Sequence, residues 1–118
     1  MKNVFGAAFG LMLTFGTLLA GDVSGKWNFV FETQIGQREA VMTFQVKGDN
    51  VTGKIEMADT EVQGTFTDAE LALAFPFYSP DAGFEAELKI TGKLEGDKIT
   101  GTWEFSEYSG SLTATRAK

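Results

Sequence analysis

The sequence predicts an all-β protein: an N-terminal signal peptide, then eight antiparallel strands that follow one another up and down and close into a small barrel. Three observations predict it. Apolar and polar residues alternate with period two along most of the chain after residue 21. A short pattern centred on glycine recurs five times. Tight-turn chemistry separates the runs at the spacing of an up-and-down sheet.

The N-terminus comes first. Lys2 supplies a basic start, Val4 to Ala20 carries no charge, and Gly21-Asp22 follow at once. A basic start, an apolar run and a small residue before polar sequence form the secretory pattern. The apolar run is interrupted by Gly6, Gly10 and Gly16, which makes it marginal for a hydrocarbon core of ~30 Å. Cleavage after Ala20 is therefore expected over a retained anchor, giving a signal peptide over 1–20 and one barrel domain over 21–118. The product is exported, periplasmic or secreted, with no stable membrane insertion.

About 98 residues then remain, enough for one modest core. The formal charge of −6 becomes −7 once Lys2 is lost. An acidic chain without a basic run repels phosphate backbones, so no nucleic-acid partner is expected. The chain contains neither cysteine nor histidine. Thiol nucleophiles, imidazole-bound haem, His-containing zinc sites and Ser-His relays are all excluded.

The repeat is Val23-Ser24-Gly25-Lys26-Trp27, Val51-Thr52-Gly53-Lys54-Ile55, Val62-Gln63-Gly64-Thr65-Phe66, Ile90-Thr91-Gly92-Lys93-Leu94 and Ile99-Thr100-Gly101-Thr102-Trp103. On a strand, its apolar residues and its glycine share the inward face. An inward glycine weakens strand propensity but permits a sharp bend, which helps a small sheet to curl. The alternation continues through Trp27, Phe29 and Phe31, through Ala40, Met42, Phe44 and Val46, and through Leu71, Leu73, Phe75 and Phe77. Phe84, Ala86, Leu88 and Ile90 repeat it, and Leu112 and Ala114 close it.

The expected strands are 23–33, 38–47, 50–57, 60–67, 70–77, 83–94, 98–105 and 109–116. Closure abolishes sheet edges; a two-sheet sandwich of the same strands is the alternative. The connections at 47–50, 67–70 and 94–98 share an end with both termini. Their tight Gly/Asp turns predict a closed terminal end floored by Trp27, Val46, Phe66 and Leu94. The connections near Thr33 to Gln37, Ala58-Asp59, Tyr78 to Gly83 and Ser106 to Tyr108 share the distal end. They look less regular, so a mouth is expected there.

Gly25-Lys26-Trp27 at the start of the first strand and Arg116 near the end of the last carry a resemblance. With them the chain resembles the calycin group, meaning lipocalins, fatty-acid-binding proteins and avidins, in an exported bacterial form. In that group a Gly-x-Trp opens the first strand, and a basic residue of the last packs across the tryptophan. The resemblance implies a lipocalin-like barrel closed by Trp27 with Arg116. It departs from the group in its short length, its lack of disulfides and its lack of a biotin-binding polar set.

Phe31, Met42, Met57, Phe75, Phe77, Phe84, Trp103 and Phe105 are the inward residues expected near the mouth. They read either as the wall of a pocket for an apolar ligand or as side chains that fill the barrel. Tyr78 and Tyr108 read as rim hydrogen-bonders or as ordinary loop aromatics. Ile35 is an exposed aliphatic in the first turn. Most acids face outward on strands or sit at turn tips; Asp59, Glu61 and Asp81 near the mouth are the only trio that could serve acid–base chemistry, and solvated loop charges explain them. Arg116 could anchor a carboxylate, but its place at the closed end favours the structural role.

The expectation is a non-catalytic lipocalin-like binding protein for a small apolar ligand held in the barrel, with no cofactor and no metal. The alternative is an envelope interaction or inhibitor protein with a solid core, docking a partner through its distal loops.

Overall fold

The computed structural model describes residues 22–56 and 60–117. The expected signal peptide and Met57 lie outside the described residues. The strands are β1 (Gly25–Thr33), β2 (Gly36–Lys47), β3 (Asn50–Ile55), β4 (Thr60–Thr67), β5 (Glu70–Ser79), β6 (Phe84–Glu95), β7 (Lys98–Phe105) and β8 (Tyr108–Arg116). They form one closed barrel in sequence order. Every neighbouring pair is antiparallel, and β1 meets β8 through Trp27 opposite Arg116 and Phe31 opposite Leu112. This is the meander barrel that the alternation implies, and the sandwich is not formed.

The two faces separate by chemistry. Trp27, Phe29, Met42, Phe44, Leu71, Leu73, Phe75, Ile90, Ile99 and Leu112 are fully or nearly fully buried inside. Lys26, Asn28, Thr43, Gln45, Thr52, Lys54, Gln63 and Thr65 face out and are exposed. Lys26 pairs with Glu56 at 3.2 Å and Lys89 with Glu87 at 3.8 Å, both well exposed. Such surface pairs contribute little to stability. The apolar interior is the main source.

The barrel is strongly staggered. From Leu73 the register runs through Gly64, Val51 and Val46 toward the start of β1. In the other direction it runs through Ile90, Trp103 and Gly110 toward the end of β1. Nearly the whole length of β1 separates the two arrivals. Strand tilt and stagger are linked in a closed sheet, so these strands lie steeply to the barrel axis. At the terminal end the stagger lets each turn accept a backbone bond from a later strand. Phe66 donates to Asp49 at 2.9 Å, Leu94 to Ala69 at 2.8 Å and Arg116 to Asp97 at 3.0 Å.

The recurring glycines make this curvature sterically possible. A Cβ on Gly101 would fall on the carbonyl oxygen of Thr91 in the neighbouring strand, and one on Gly64 would fall on that of Ala72. Backbone therefore occupies the space that a side chain would need. Gly92 stands directly opposite Gly101, so two strands bend at one place.

Gly101→Ala should therefore destabilise the barrel by about 1–3 kcal/mol, the usual cost of overpacking. Thr100→Ala, on the adjacent outward position, should stay within about 0.5 kcal/mol. Urea unfolding followed by tryptophan fluorescence compares them, and equal midpoints would contradict the steric explanation.

Candidate functional site

The two ends of the barrel differ in chemistry. At the terminal end Arg116 lies on the inward side of β8, its guanidinium carbon 4.4 Å from the centre of the Trp27 ring. Its Nη1 donates to the Ser24 carbonyl at 2.9 Å, its Nη2 to the Asp22 carbonyl at 3.2 Å and its Nε to Asp97 at 3.0 Å. The Trp27 indole N–H donates to the Val23 carbonyl at 2.9 Å. Val23 and Trp27 are completely buried. One arginine thus joins the chain entry, the last strand and the turn before β7, and it caps the floor. A carboxylate ligand would have to displace all of these partners to reach it.

Deep in the barrel, aromatic rings interlock. Phe29 meets Phe44 edge-on at 5.9 Å and stacks on Phe31 at 5.8 Å. Trp103 is nearly buried beneath the distal end, and its indole N–H donates to the Glu32 carbonyl of β1 at 3.1 Å. That bond passes β8 at Gly110, the residue opposite Trp103. A Cβ on Gly110 would fall on the Glu32 oxygen and lie 2.8 Å from the indole nitrogen. Glycine opens the window through which β7 is pinned to β1.

The distal end is built differently. All the exposed large hydrophobic residues found among the described residues lie there: Ile35 at 62% exposure, Tyr78 at 57%, Phe84 at 39% and Tyr108 at 38%. Phe84 stacks on Phe105 at 5.4 Å, and Phe77 meets Phe105 edge-on at 6.1 Å. Phe31, Phe77, Ala40 and Ala86 are half-buried around the same opening and pack on the core. Together these half-exposed apolar residues gather at the distal end above a filled interior, an arrangement we term the cup.

A roof crosses this cup. After β5 the chain turns through Pro80, Asp81, Ala82 and Gly83 to β6. The Ala82 N–H donates to the Ser79 hydroxyl at 3.1 Å and the Gly83 N–H to the Ser79 carbonyl at 2.8 Å. Ala82 packs on the core. Arg38 Nε, on β2, donates to Asp81 at 2.8 Å. In the barrel order β2 lies opposite the β5–β6 connection, so this ion pair spans the mouth. Arg38 shares the inward side of β2 with Met42 and Phe44 and stands opposite Phe31.

The residues singled out from sequence divide accordingly. Phe77, Phe84 and Phe105 pack together at the cup, Phe31 and Tyr108 stand at the same end, and Trp103 lies beneath. Met42, expected near the mouth, is level with Trp27 because the first turn is tight and the stagger carries β2 downward. Phe75 is fully buried and belongs to the filling. Tyr78, expected in a loop, continues β5 and shares its outward side with Pro76, away from the cup. The first and seventh connections are also tight turns, with Thr33 opposite Gly36 and Phe105 opposite Tyr108. Among the described residues, distal irregularity is concentrated at 80–83; the expected Ala58-Asp59 connection lies outside them. Arg38 is the residue that sequence reasoning missed. Continuing the Phe44, Met42, Ala40 alternation two residues further would have found it.

A depression of about 700 Å³ also lies on the outer wall, with Thr52, Gln63, Thr65, Ala72 and Thr91 among its lining residues. It is open and shallow, and has no aromatic platform.

Replacing Arg116 by Ala should destabilise the protein by about 1–3 kcal/mol, combining a cation–indole contact with charge-assisted hydrogen bonds. Arg116→Lys should recover only part, since an ammonium lacks the planar fork. Unchanged urea midpoints in both variants would rule out a clasp. No family model matches this chain and no curated protein matches its sequence, so a functional reading rests on the geometry of its two ends.

Proposed function

We propose that this is an exported, non-catalytic binding protein that takes the apolar part of a small molecule into the aromatic cup at its distal end. The observation that carries the reading is the gradient of burial along the inward face. Trp27, Phe29, Met42, Phe44 and Phe75 are shut away, while Phe31, Phe77 and Phe84 stay half-open at one end. Aromatic surface left partly exposed in a concave place is what an apolar ligand uses. The ligand is held at the mouth and not along the barrel axis, because rings fill the space below.

Two further features support a binding role. The described residues bury no polar or charged side chain, whereas acid–base catalysis draws on ionisable groups placed in a pocket. The barrel is apolar inside and polar outside, the reverse of a lipid-facing barrel, which suits a protein that works in water.

A second reading, docking of a protein partner through the same end, is favoured by Ile35 and Tyr78. Both project outside the cup, and exposed aromatics of this kind anchor interfaces. Under it, the Ile35→Ser, Tyr78→Ser double variant loses the partner in pull-downs while retaining dye binding.

The neutral fluorescent dye N-phenyl-1-naphthylamine tests the cup directly. Titration should give a saturable rise in emission, weakened severalfold by Phe84→Ser or Phe31→Ser. Absence of a saturable signal, or equal signals from wild type and both variants, would count against the reading.

A further inference from the structure

The roof over the cup carries an inference that rests on the binding function proposed above. We infer that Asp81 and Ala82 occupy the cup as an internal substitute for its ligand, and that the ligand class is a compact molecule joining a carboxylate to an apolar body. The geometry pairs each part of such a molecule with a part of the roof. Ala82 supplies an apolar group packed on the core. Asp81, the residue before it, supplies a carboxylate held by Arg38 at 2.8 Å.

The position of Arg38 is unusual for a charged residue. It continues the inward side of β2 above Ala40 and Met42, and it stands opposite the half-buried Phe31. A cation is costly beside an apolar surface unless an acceptor pairs with it. Besides Asp81, Arg38 donates through Nη1 to the Gln37 carbonyl at 2.9 Å. A neutral ligand that lifted the roof would take away the Asp81 partner and put nothing in its place. A carboxylate would restore it, and its apolar body would cover the surface that Ala82 leaves.

The roof is built to lift. The Arg38 and Asp81 side chains are 45% and 46% exposed, and ion pairs so open to water hold weakly. The roof's other bonds run to Ser79 at its own base, so none of them ties it across the mouth. Gly83, with φ at +84°, lets the chain turn sharply into β6. The outer walls nearby carry Glu32, Glu39, Glu85, Glu87, Glu104 and Glu107. Lys54 and Lys89 also stand toward this end but on the outer wall, Lys89 beside Glu87. Among the described residues, Arg38 is the only distal cation on the inward side of a strand. An anionic head therefore has one place to go.

Calorimetric titration with decanoate, decan-1-ol and decylammonium, below their aggregation limits, tests this on the full mature chain. Decanoate should bind wild type about two- to fivefold more tightly than decan-1-ol, the size of one water-exposed ion pair, and decylammonium should bind weakest. Asp81→Asn removes the competing carboxylate, and should tighten decanoate severalfold while keeping its preference. Arg38→Gln should level decanoate with decan-1-ol, although both bind. Circular dichroism checks that the variants fold. A decanoate preference that survives Arg38→Gln, or an Asp81→Asn variant with wild-type affinities, would overturn the inference and leave the cup standing. If no alkyl probe or neutral dye binds wild type or Asp81→Asn, the cup itself is refuted.

Discussion

Closure of a sheet on itself with a steep stagger is the constraint from which the other features follow. Eight strands enclose little space, and the tilt brings neighbouring backbones into places where side chains would otherwise stand. Thr91 carbonyl oxygen occupies the Cβ position of Gly101, and Ala72 carbonyl oxygen occupies that of Gly64. The repeating apolar-polar-glycine pattern is the chemical record of that crowding. What remains inside is narrow enough for interlocked rings such as Phe29 and Phe44 to fill.

A closed sheet still has two ends, and the chain treats them differently. The first strand starts and the last strand ends at one end, where backbone without a further partner would fray. There Arg116 lies on Trp27 and binds the entry carbonyls of Asp22 and Ser24, while turn carbonyls accept bonds from later strands. The other end joins the strands in consecutive pairs. It keeps half-open aromatics under a short roof, held across the mouth by an ion pair exposed to water. Rigidity and accessibility are thus segregated along a single axis, and the proposed binding falls at the accessible end.

Most of the architecture was legible because period two is a strong signal when the interior is uniformly apolar. Strand bounds moved by only a residue or two, and the inward parity of Trp27, Phe29, Leu112 and Ala114 could be read directly. Levels along the axis were not legible. Met42 slid beside Trp27 because stagger depends on how every turn adds up around the barrel, which no local pattern reports. Tyr78 changed from loop to outward strand because β5 runs past Pro76, whose missing N–H does not end that strand. Arg38 went unnoticed because a charged residue on an inward face reads as the end of a strand. The roof over the cup escaped for a related reason: its contact joins residues 43 apart in sequence, across the barrel.

Amide hydrogen exchange of the protein without added ligand distinguishes a barrel sealed at its terminal end and openable at its distal end from a uniformly rigid or uniformly soft one. The β1–β8 seam, at Phe29, Leu112 and Ala114, should exchange only through global unfolding, as slowly as the β6–β7 ladder. The roof amides of Ala82 and Gly83 should exchange far faster, through local opening. A seam that exchanges as fast as the roof, or a roof as slow as the seam, would contradict this division.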